Sequence, residues 1–251
     1  MVKIILRGCN GKLGRAITQI AEVEGVEIVA GIMNKTALPN TYPVYSSLSD
    51  CHVEADVIID CSSSHTVSEI LDFGKSKKLP IILCTTGLSK EDILLVHETA
   101  KEIPILHAPN MSVGITVMIK LLEETAKILY RDFDIEIIEK YHNQKVDTPS
   151  GTTHLLADAI NEVLGNEYEY KYDRTLENKK REKNEIGISS IRGGTIVGEH
   201  EVIFAGLDEV IKINHTAYSR TIFAKGAMKG AKYLVKSKPG LYTMKEIVEH
   251  L

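Results

Sequence analysis

The sequence predicts an α/β protein: a parallel sheet layered with helices, interrupted by an α+β segment that carries a sheet of its own. Three observations predict it. Up to His107, short β-branched runs alternate with stretches of helical periodicity, the pattern of parallel strands joined by right-handed crossovers. A glycine-rich turn separates the first strand from the first helix. From Ile186 onward the apolar period drops to two, as in a sheet with one solvated or partner-facing side.

Lys3–Leu6 is the first strand and Arg15–Ala21 the first helix. Between them Gly8, Gly11 and Gly14 stand in a G-x-x-G-x-x-G spacing, a variant of the dinucleotide fingerprint, with Asn10, Lys12 and Leu13 in the same loop. Glycine is needed there because the backbone turns tightly and approaches a pyrophosphate, at which the next helix points its N-terminus. A lone triplet is weak; set between strand and helix it points to a dinucleotide. Strands follow at Val26–Ile32, Asp56–Asp60, Pro80–Cys84 and Pro104–His107, with helices at Val67–Lys78 and Lys90–Ala100. Ligands of such sheets lie beyond the carboxyl ends of the strands. Three polar strand ends qualify: Cys61 to Ser64, Thr85-Thr86-Gly87, and Ala108-Pro109-Asn110 with Met111 after it. Each alone reads equally well as an ordinary βα loop. At the end of the second strand, Ile32-Met33-Asn34-Lys35 has no acid for a ribose 2′-hydroxyl. Lys35 suits a 2′-phosphate instead, so NADPH is expected, with NADH accepted beside it; a solvated surface lysine is the competing reading.

Ser112–Leu129 reads as one helix, and Asp134–Glu139 as a strand built on Ile135, Ile137 and Ile138. Pro149 and Ser150 then stand where a helix entrance places Pro and an N-cap Ser, and Leu155, Leu156, Ala159, Ile160 and Val163 follow at helical spacing. The free amides and dipole of that entrance favour an anion, with His142 and Lys145 just upstream. The plainer alternative is a capped helix start without a ligand. Residues 166–185 are polar and aperiodic, and are expected to form a loop. Ile186–Arg192, Thr195–Phe204 and Glu209–Thr216 read as antiparallel strands, and Thr221–Val235 and Met244–His250 as helices that return to the first part.

Composition bounds the function. Of 251 residues 43% are hydrophobic and 25% charged, which suffices for a sizeable core. With 30 basic and 34 acidic residues the net charge of -4 gives no field to recruit nucleic acid, and none is expected as a partner. Cysteines 9, 51, 61 and 84 form no C-x-x-C pair, so no metal site is expected. The apolar run at the N-terminus is too short for a signal peptide and no segment reaches a membrane-spanning length, so a cytoplasmic protein without membrane partners is expected.

Five blocks then carry a resemblance. They are the glycine loop, Thr85-Thr86-Gly87, Ala108-Pro109-Asn110-Met111-Ser112-Val113-Gly114, Lys145-Val146-Asp147-Thr148-Pro149-Ser150-Gly151-Thr152, and Arg192-Gly193-Gly194-Thr195-Ile196-Val197-Gly198-Glu199-His200 with Ser219-Arg220 after it. In these the chain resembles the 4-hydroxy-tetrahydrodipicolinate (dihydrodipicolinate) reductases of the diaminopimelate route to lysine. The resemblance implies a Rossmann-type dinucleotide-binding domain at 1–112 and 222–251. It implies an inserted α+β substrate and tetramerisation domain at 113–221 carrying an open mixed sheet, hence a homotetramer. It also implies NAD(P)H-dependent reduction of a cyclic dicarboxylate. Lys145 becomes the proton donor or its helper. His142, Ser150, Gly151 and Thr152 become carboxylate holders, with Thr86 helping from the cofactor side. Gly8, Asn10, Gly11, Lys12, Leu13, Gly14, Lys35, Cys61, Cys84, Thr86, Pro109, Asn110 and Met111 become the cofactor set.

Three positions depart from the family's pattern. Tyr141 stands where the first of two adjacent histidines is usual, Cys84 where a glycine heads the Thr-Thr-Gly loop, and no acid ends the second strand. A phenol titrates near ~10 and is a weaker acid than imidazole at neutral pH. Lys145 beside it is expected to lower that value, so that Lys145, with Tyr141 or water, supplies the proton. Two other readings remain: a non-catalytic dinucleotide-binding sensor, which the Tyr141 and Cys84 changes suit, and a different small-molecule nicotinamide dehydrogenase.

Overall fold

The protein is described by a computed structural model covering residues 1–33, 39–175 and 177–251, and it divides into two compact units, Met1–Val113 with Arg220–Leu251, and Gly114–Ser219.

The first unit opens with β1 (Val2–Arg7), α1 (Lys12–Ile20), β2 (Val26–Ile32), β3 (Val44–Tyr45), β4 (Val57–Asp60), α2 (Val67–Lys77), β5 (Ile81–Leu83), α3 (Lys90–Ala100) and β6 (Pro104–His107). Its inner strands β1, β4, β5 and β6 are buried on both faces over most of their length. In β1, Ile4 and Leu6 enter one core with α1, while Ile5 enters the other with Ile70 and Leu71 of α2. That two-sided burial is why these strands appear in the sequence as unbroken apolar runs.

The second unit holds α4 (Val113–Leu129, its first residue at the boundary), β7 (Asp134–Tyr141), α5 (Gly151–Val163), β8 (Glu169–Lys171), β9 (Glu185–Arg192), β10 (Gly198–Ala205) and β11 (Val210–Ala217). Its sheet runs β11-β10-β7-β9-β8. The expected antiparallel set is corrected here: β10 is antiparallel to both β7 and β11, but β9 lies parallel to β7 and never pairs with β10. An apolar–polar alternation fixes which face of a strand is buried, not the direction of its neighbour. The expected loop at 166–185 also contains β8, parallel to β9. Arg174 and Arg181 anchor this stretch to Glu136 of β7, each at 3.1 Å. Gly187 leaves room for that carboxylate, since a Cβ there would stand 1.7 Å from Glu136 Oε2.

The chain then returns to the first unit with α6 (Thr221–Leu234), β12 (Gly240–Tyr242) and α7 (Met244–Glu249), completing an all-parallel sheet of order β12-β6-β5-β4-β1-β2-β3. Gly226 lets α6 lie directly against the chain at Met111: a Cβ there would fall 1.7 Å from the Met111 carbonyl oxygen. The α/β class with a second, mixed sheet is therefore as the sequence predicts. The two- and three-residue edge strands β3 and β12 are too short to show a period, and pairing alone creates them. Lys35 lies outside the described residues.

Candidate active site

The inward face of the second sheet begins as core and ends as a polar cluster. Ile135 and Ile137 of β7, Ile186 and Ile188 of β9, and Val202 and Phe204 of β10 are buried together under α5. Continuing the same alternation along each strand gives Glu139 and Tyr141, Ser190 and Arg192, and His200. Across the strands His200 pairs with Glu139 on one side and His215 on the other.

Glu139 is fully buried and accepts four hydrogen bonds: Ser150 N at 2.8 Å, Thr153 Oγ1 at 2.6 Å, Ser190 Oγ at 2.8 Å and Arg192 Nη2 at 2.6 Å. Burial pushes its carboxyl pKa up, but the donors from Ser150, Thr153 and Arg192 outweigh it and bring it down to about 2. The helix entrance thus already holds an anion, the protein's own. Ser150 is the N-cap, its Oγ accepting from Thr153 N at 3.2 Å. Its hydroxyl is turned inward and buried; Pro149 stands just outside the helix and Gly151 is its first residue. Above Gly151 the space is open, since a Cβ built there meets nothing within 4 Å.

Tyr141 Oη lies 3.3 Å from His200 Nε2, and Ser150 Oγ lies 3.3 Å from the same nitrogen. Gly198 makes room for the ring, as a Cβ there would stand 2.9 Å from it. Lys145 Nζ sits over the face of that ring, 4.5 Å from its centroid, and is held by both carboxylate oxygens of Asp147 at 2.9 Å. The expected lowering of the Tyr141 pKa is overturned: the phenol is raised, by burial first and by the nearby Glu139 and Asp147 charges, against donors at Ser150 and Thr152. The ammonium stands over the ring face with its charge paired to Asp147, so it does not offset the burial of the phenol. His142 is half-buried beside Tyr141, and its Nδ1 accepts from Gln144 N at 3.2 Å, which leaves Nε2–H as the donor. Arg192 also donates to Asp147 O at 2.8 Å and Thr148 Oγ1 at 3.0 Å, tying the Lys145 loop to the sheet. His200 and Arg192 were legible only as part of a sequence block; the signal that marks them is the inward parity of their strands.

In the first unit a cavity of about 310 Å³ is lined by Arg7, Gly8, Gly11, Ile32, Met33, Cys61, Ser62, Ser63 and Thr66. It lies beyond the ends of β1, β2 and β4. The glycines fit a dinucleotide. Gly8 has φ +78, and a Cβ on Gly14 would stand 2.3 Å from the Gly8 carbonyl oxygen. The N-cap of α1 is Gly11, with no side chain on its first amides and no acid in the first turn. Asn10 Nδ2 is buried there without a partner among the described residues. Of the expected cofactor residues, Gly8, Gly11 and Cys61 line this cavity. Gly14 is buried in the first turn of α1 against the loop backbone, and Leu13 and Cys84 pack on the core. Met111 is core, with its carbonyl against α6. Lys12, Thr86 and Pro109 are exposed, and Asn110 Oδ1 accepts from Ser112 N at 2.8 Å. Behind the cavity, buried Asp60 accepts from Ser62 Oγ at 2.6 Å and Thr85 Oγ1 at 2.9 Å, tying two strand ends together. Burial raises its pKa against those donors.

A family model described as dihydrodipicolinate reductase, N-terminus, matches residues 2–111, and its counterpart, C-terminus, matches 114–248. The chain belongs to the dihydrodipicolinate reductase family. A 4-hydroxy-tetrahydrodipicolinate reductase of Caldanaerobacter subterraneus subsp. tengcongensis is 50% identical over 99% of both chains. That of Clostridium tetani is 49% identical over 97% of this chain and 96% of its own. The solved structure of a dipicolinate-bound dihydrodipicolinate reductase from Paenisporosarcina sp. TG-14 superposes with a TM-score of 0.84 at 25% identity, covering 98% of this chain and 99% of that one. Among the described residues no helix is long and apolar enough to cross a membrane, and no cluster of three metal-ligating side chains occurs.

Proposed function

We propose that this protein reduces 4-hydroxy-tetrahydrodipicolinate to tetrahydrodipicolinate with a reduced nicotinamide dinucleotide, the 4-hydroxyl leaving as water. Full-length membership of the reductase family carries the reading, together with one geometric observation. Lys145, Tyr141, Ser150 and the open start of α5 are gathered around His200 and Glu139 within one unit.

The dinucleotide would be held by Gly8, Gly11 and Gly14, by the N-terminus of α1 and by Cys61, with Asn10, Lys12, Thr86, Pro109 and Asn110 around it and Leu13, Cys84 and Met111 packed behind. When bound it supplies the hydride. NADPH is proposed over NADH because no acid follows β2 and Lys35 does. Within 113–221, His142, Gly151 and Thr152 meet a substrate carboxylate at the helix entrance, with Thr86 facing the substrate from the cofactor side. Ser150 acts from behind as the cap that holds this entrance. Lys145 exchanges Asp147 for the substrate and gives the proton. Tyr141 carries the ammonium on its ring face. A homotetramer fits the edge strand β11, where Val210 and Ile211 are exposed, and Ile191 of β9.

The test is steady-state oxidation of NADPH and of NADH with freshly prepared substrate, on the wild type and on Lys145→Ala. Turnover with a lower KM for NADPH, and its loss in the variant, is expected. A wild type that binds dinucleotide yet oxidises none in the presence of substrate is the sensor, and the reductase reading is then wrong.

A further inference from the structure

His200 has no assigned role, yet it is where the polar cluster converges. It is 3% exposed. One nitrogen, Nε2, stands 3.3 Å from both the Tyr141 and the Ser150 hydroxyl; the other, Nδ1, is buried without a partner among the described residues. An unpaired buried N–H costs more than an unpaired lone pair beside apolar groups, so the proton belongs on Nε2, where two hydroxyl oxygens can accept it. Its ring meets the Tyr141 ring edge-on, with centroids 5.5 Å apart. Glu139, Tyr141, His215 and Lys145 are the ionisable groups around it, and burial keeps the imidazole neutral at pH 7, with its pKa down to about 4.

We infer that His200 is the positioning residue of this site: its Nε2, wedged between the Tyr141 and Ser150 hydroxyls, fixes the ring that carries Lys145 and the helix start that meets a carboxylate. The inference rests on the proposed reading of that site as a dicarboxylate site. The chain of contacts is short. Nε2 pins Tyr141 at its hydroxyl, the ring pins the ammonium 4.5 Å above it, and the Ser150 hydroxyl is held at the cap that sets the first turn of α5. The tyrosine replaces a histidine usual at that position, and a phenol needs an acceptor or donor when buried; His200 supplies it.

The experiment compares His200→Gln with His200→Asn. Glutamine can place a polar atom where Nε2 stands, whereas asparagine reaches only as far as Nδ1. Both are small polar replacements at one buried position, so a general loss of packing affects them alike. Binding of pyridine-2,6-dicarboxylate by calorimetry and the substrate KM and kcat are measured, with thermal melting as control. Expected are affinity and KM within about threefold of wild type for His200→Gln, and about tenfold weaker binding with a matching rise in KM for His200→Asn, the scale of one lost hydrogen bond. In a Tyr141→Phe background the His200→Asn effect shrinks, since the two act through one contact. Indistinguishable Gln and Asn variants, or full additivity with Tyr141→Phe, overturn the inference. A wild type that binds the dicarboxylate without turnover sinks the reductase reading and leaves His200 to be judged on binding. A wild type that binds no dicarboxylate sinks both.

Discussion

The ammonium of Lys145 lies over the face of the Tyr141 ring, 4.5 Å from its centroid, while the Tyr141 hydroxyl stands 3.3 Å from His200 Nε2. The two residues thus divide the work: the ring orients the cation, and the phenol, its pKa raised by burial, keeps its proton at neutral pH. Lys145→Ala is therefore expected to lower kcat by ~10²–10⁴, the worth of a positioned acid. Tyr141→Phe keeps the ring and loses less than about tenfold, whereas Tyr141→Leu, which removes the ring face, falls between the two. Steady-state kinetics on the three variants checks the order. A Phe variant as damaged as the Lys145 variant would restore the phenol as proton donor.

Arg192 is the cation that keeps Glu139 tolerable. Glu139 is fully buried, and the guanidinium reaches it at 2.6 Å while also holding the Asp147 carbonyl. Removing one partner of a buried pair strands the other's charge. Arg192→Ala is expected to cost about 3–5 kcal/mol in urea unfolding, more than truncating an exposed arginine. Adding Glu139→Gln to that variant recovers part of the loss, because a neutral amide is cheaper to bury than an unpaired carboxylate.

The parallel sheet was legible because its inner strands are buried on both faces, so each appears as an apolar run between turns. The glycine loop was legible because Gly8 and Gly14 have no room for a side chain. The mixed sheet was legible as strands but not as an order: nothing in Ile186–Arg192 says that β7 will take it parallel. The same holds for the site. The block from Lys145 to Thr152 was visible as a motif, and its cap forms as expected at Ser150. That Glu139 would fill part of the helix entrance was not, because Glu139 and Ser150 meet only when β7 passes beneath α5. Nor was the inward turn of the Tyr141 hydroxyl, which depends on a strand about sixty residues away in sequence.

Two helix glycines separate affinity from stability. Gly14→Ala puts a methyl 2.3 Å from the Gly8 carbonyl oxygen inside the dinucleotide loop, and Gly226→Ala puts one 1.7 Å from the Met111 carbonyl oxygen under α6. Backbone cannot yield as a flexible side chain does, so each is expected to cost about 1–3 kcal/mol in melting experiments. Fluorescence titration with NADPH distinguishes them: the Gly14 variant, where folded, loses dinucleotide affinity at least about tenfold, while the folded fraction of the Gly226 variant keeps its affinity to a larger extent.

Acid should destabilise the second unit through two groups in succession. His200 titrates near 6.5 when unfolded and about 4 when folded. Between those values the unfolded chain takes up a proton that the folded one refuses, so stability falls as pH drops from 6.5 to 4, by about 3 kcal/mol, and this group adds nothing further below. Glu139 titrates at 4.5 when unfolded and about 2 when folded, so its contribution is present above 4.5 and is lost as pH falls from 4.5 to 2. Urea unfolding between pH 7 and 3 should show a slope that begins above pH 6 and continues below 4.5, where Glu139 takes over from His200. His200→Gln removes the upper slope and leaves the lower. A stability curve of that variant still falling between pH 6.5 and 5 as in wild type would show that another group, such as half-buried His215, carries the upper step.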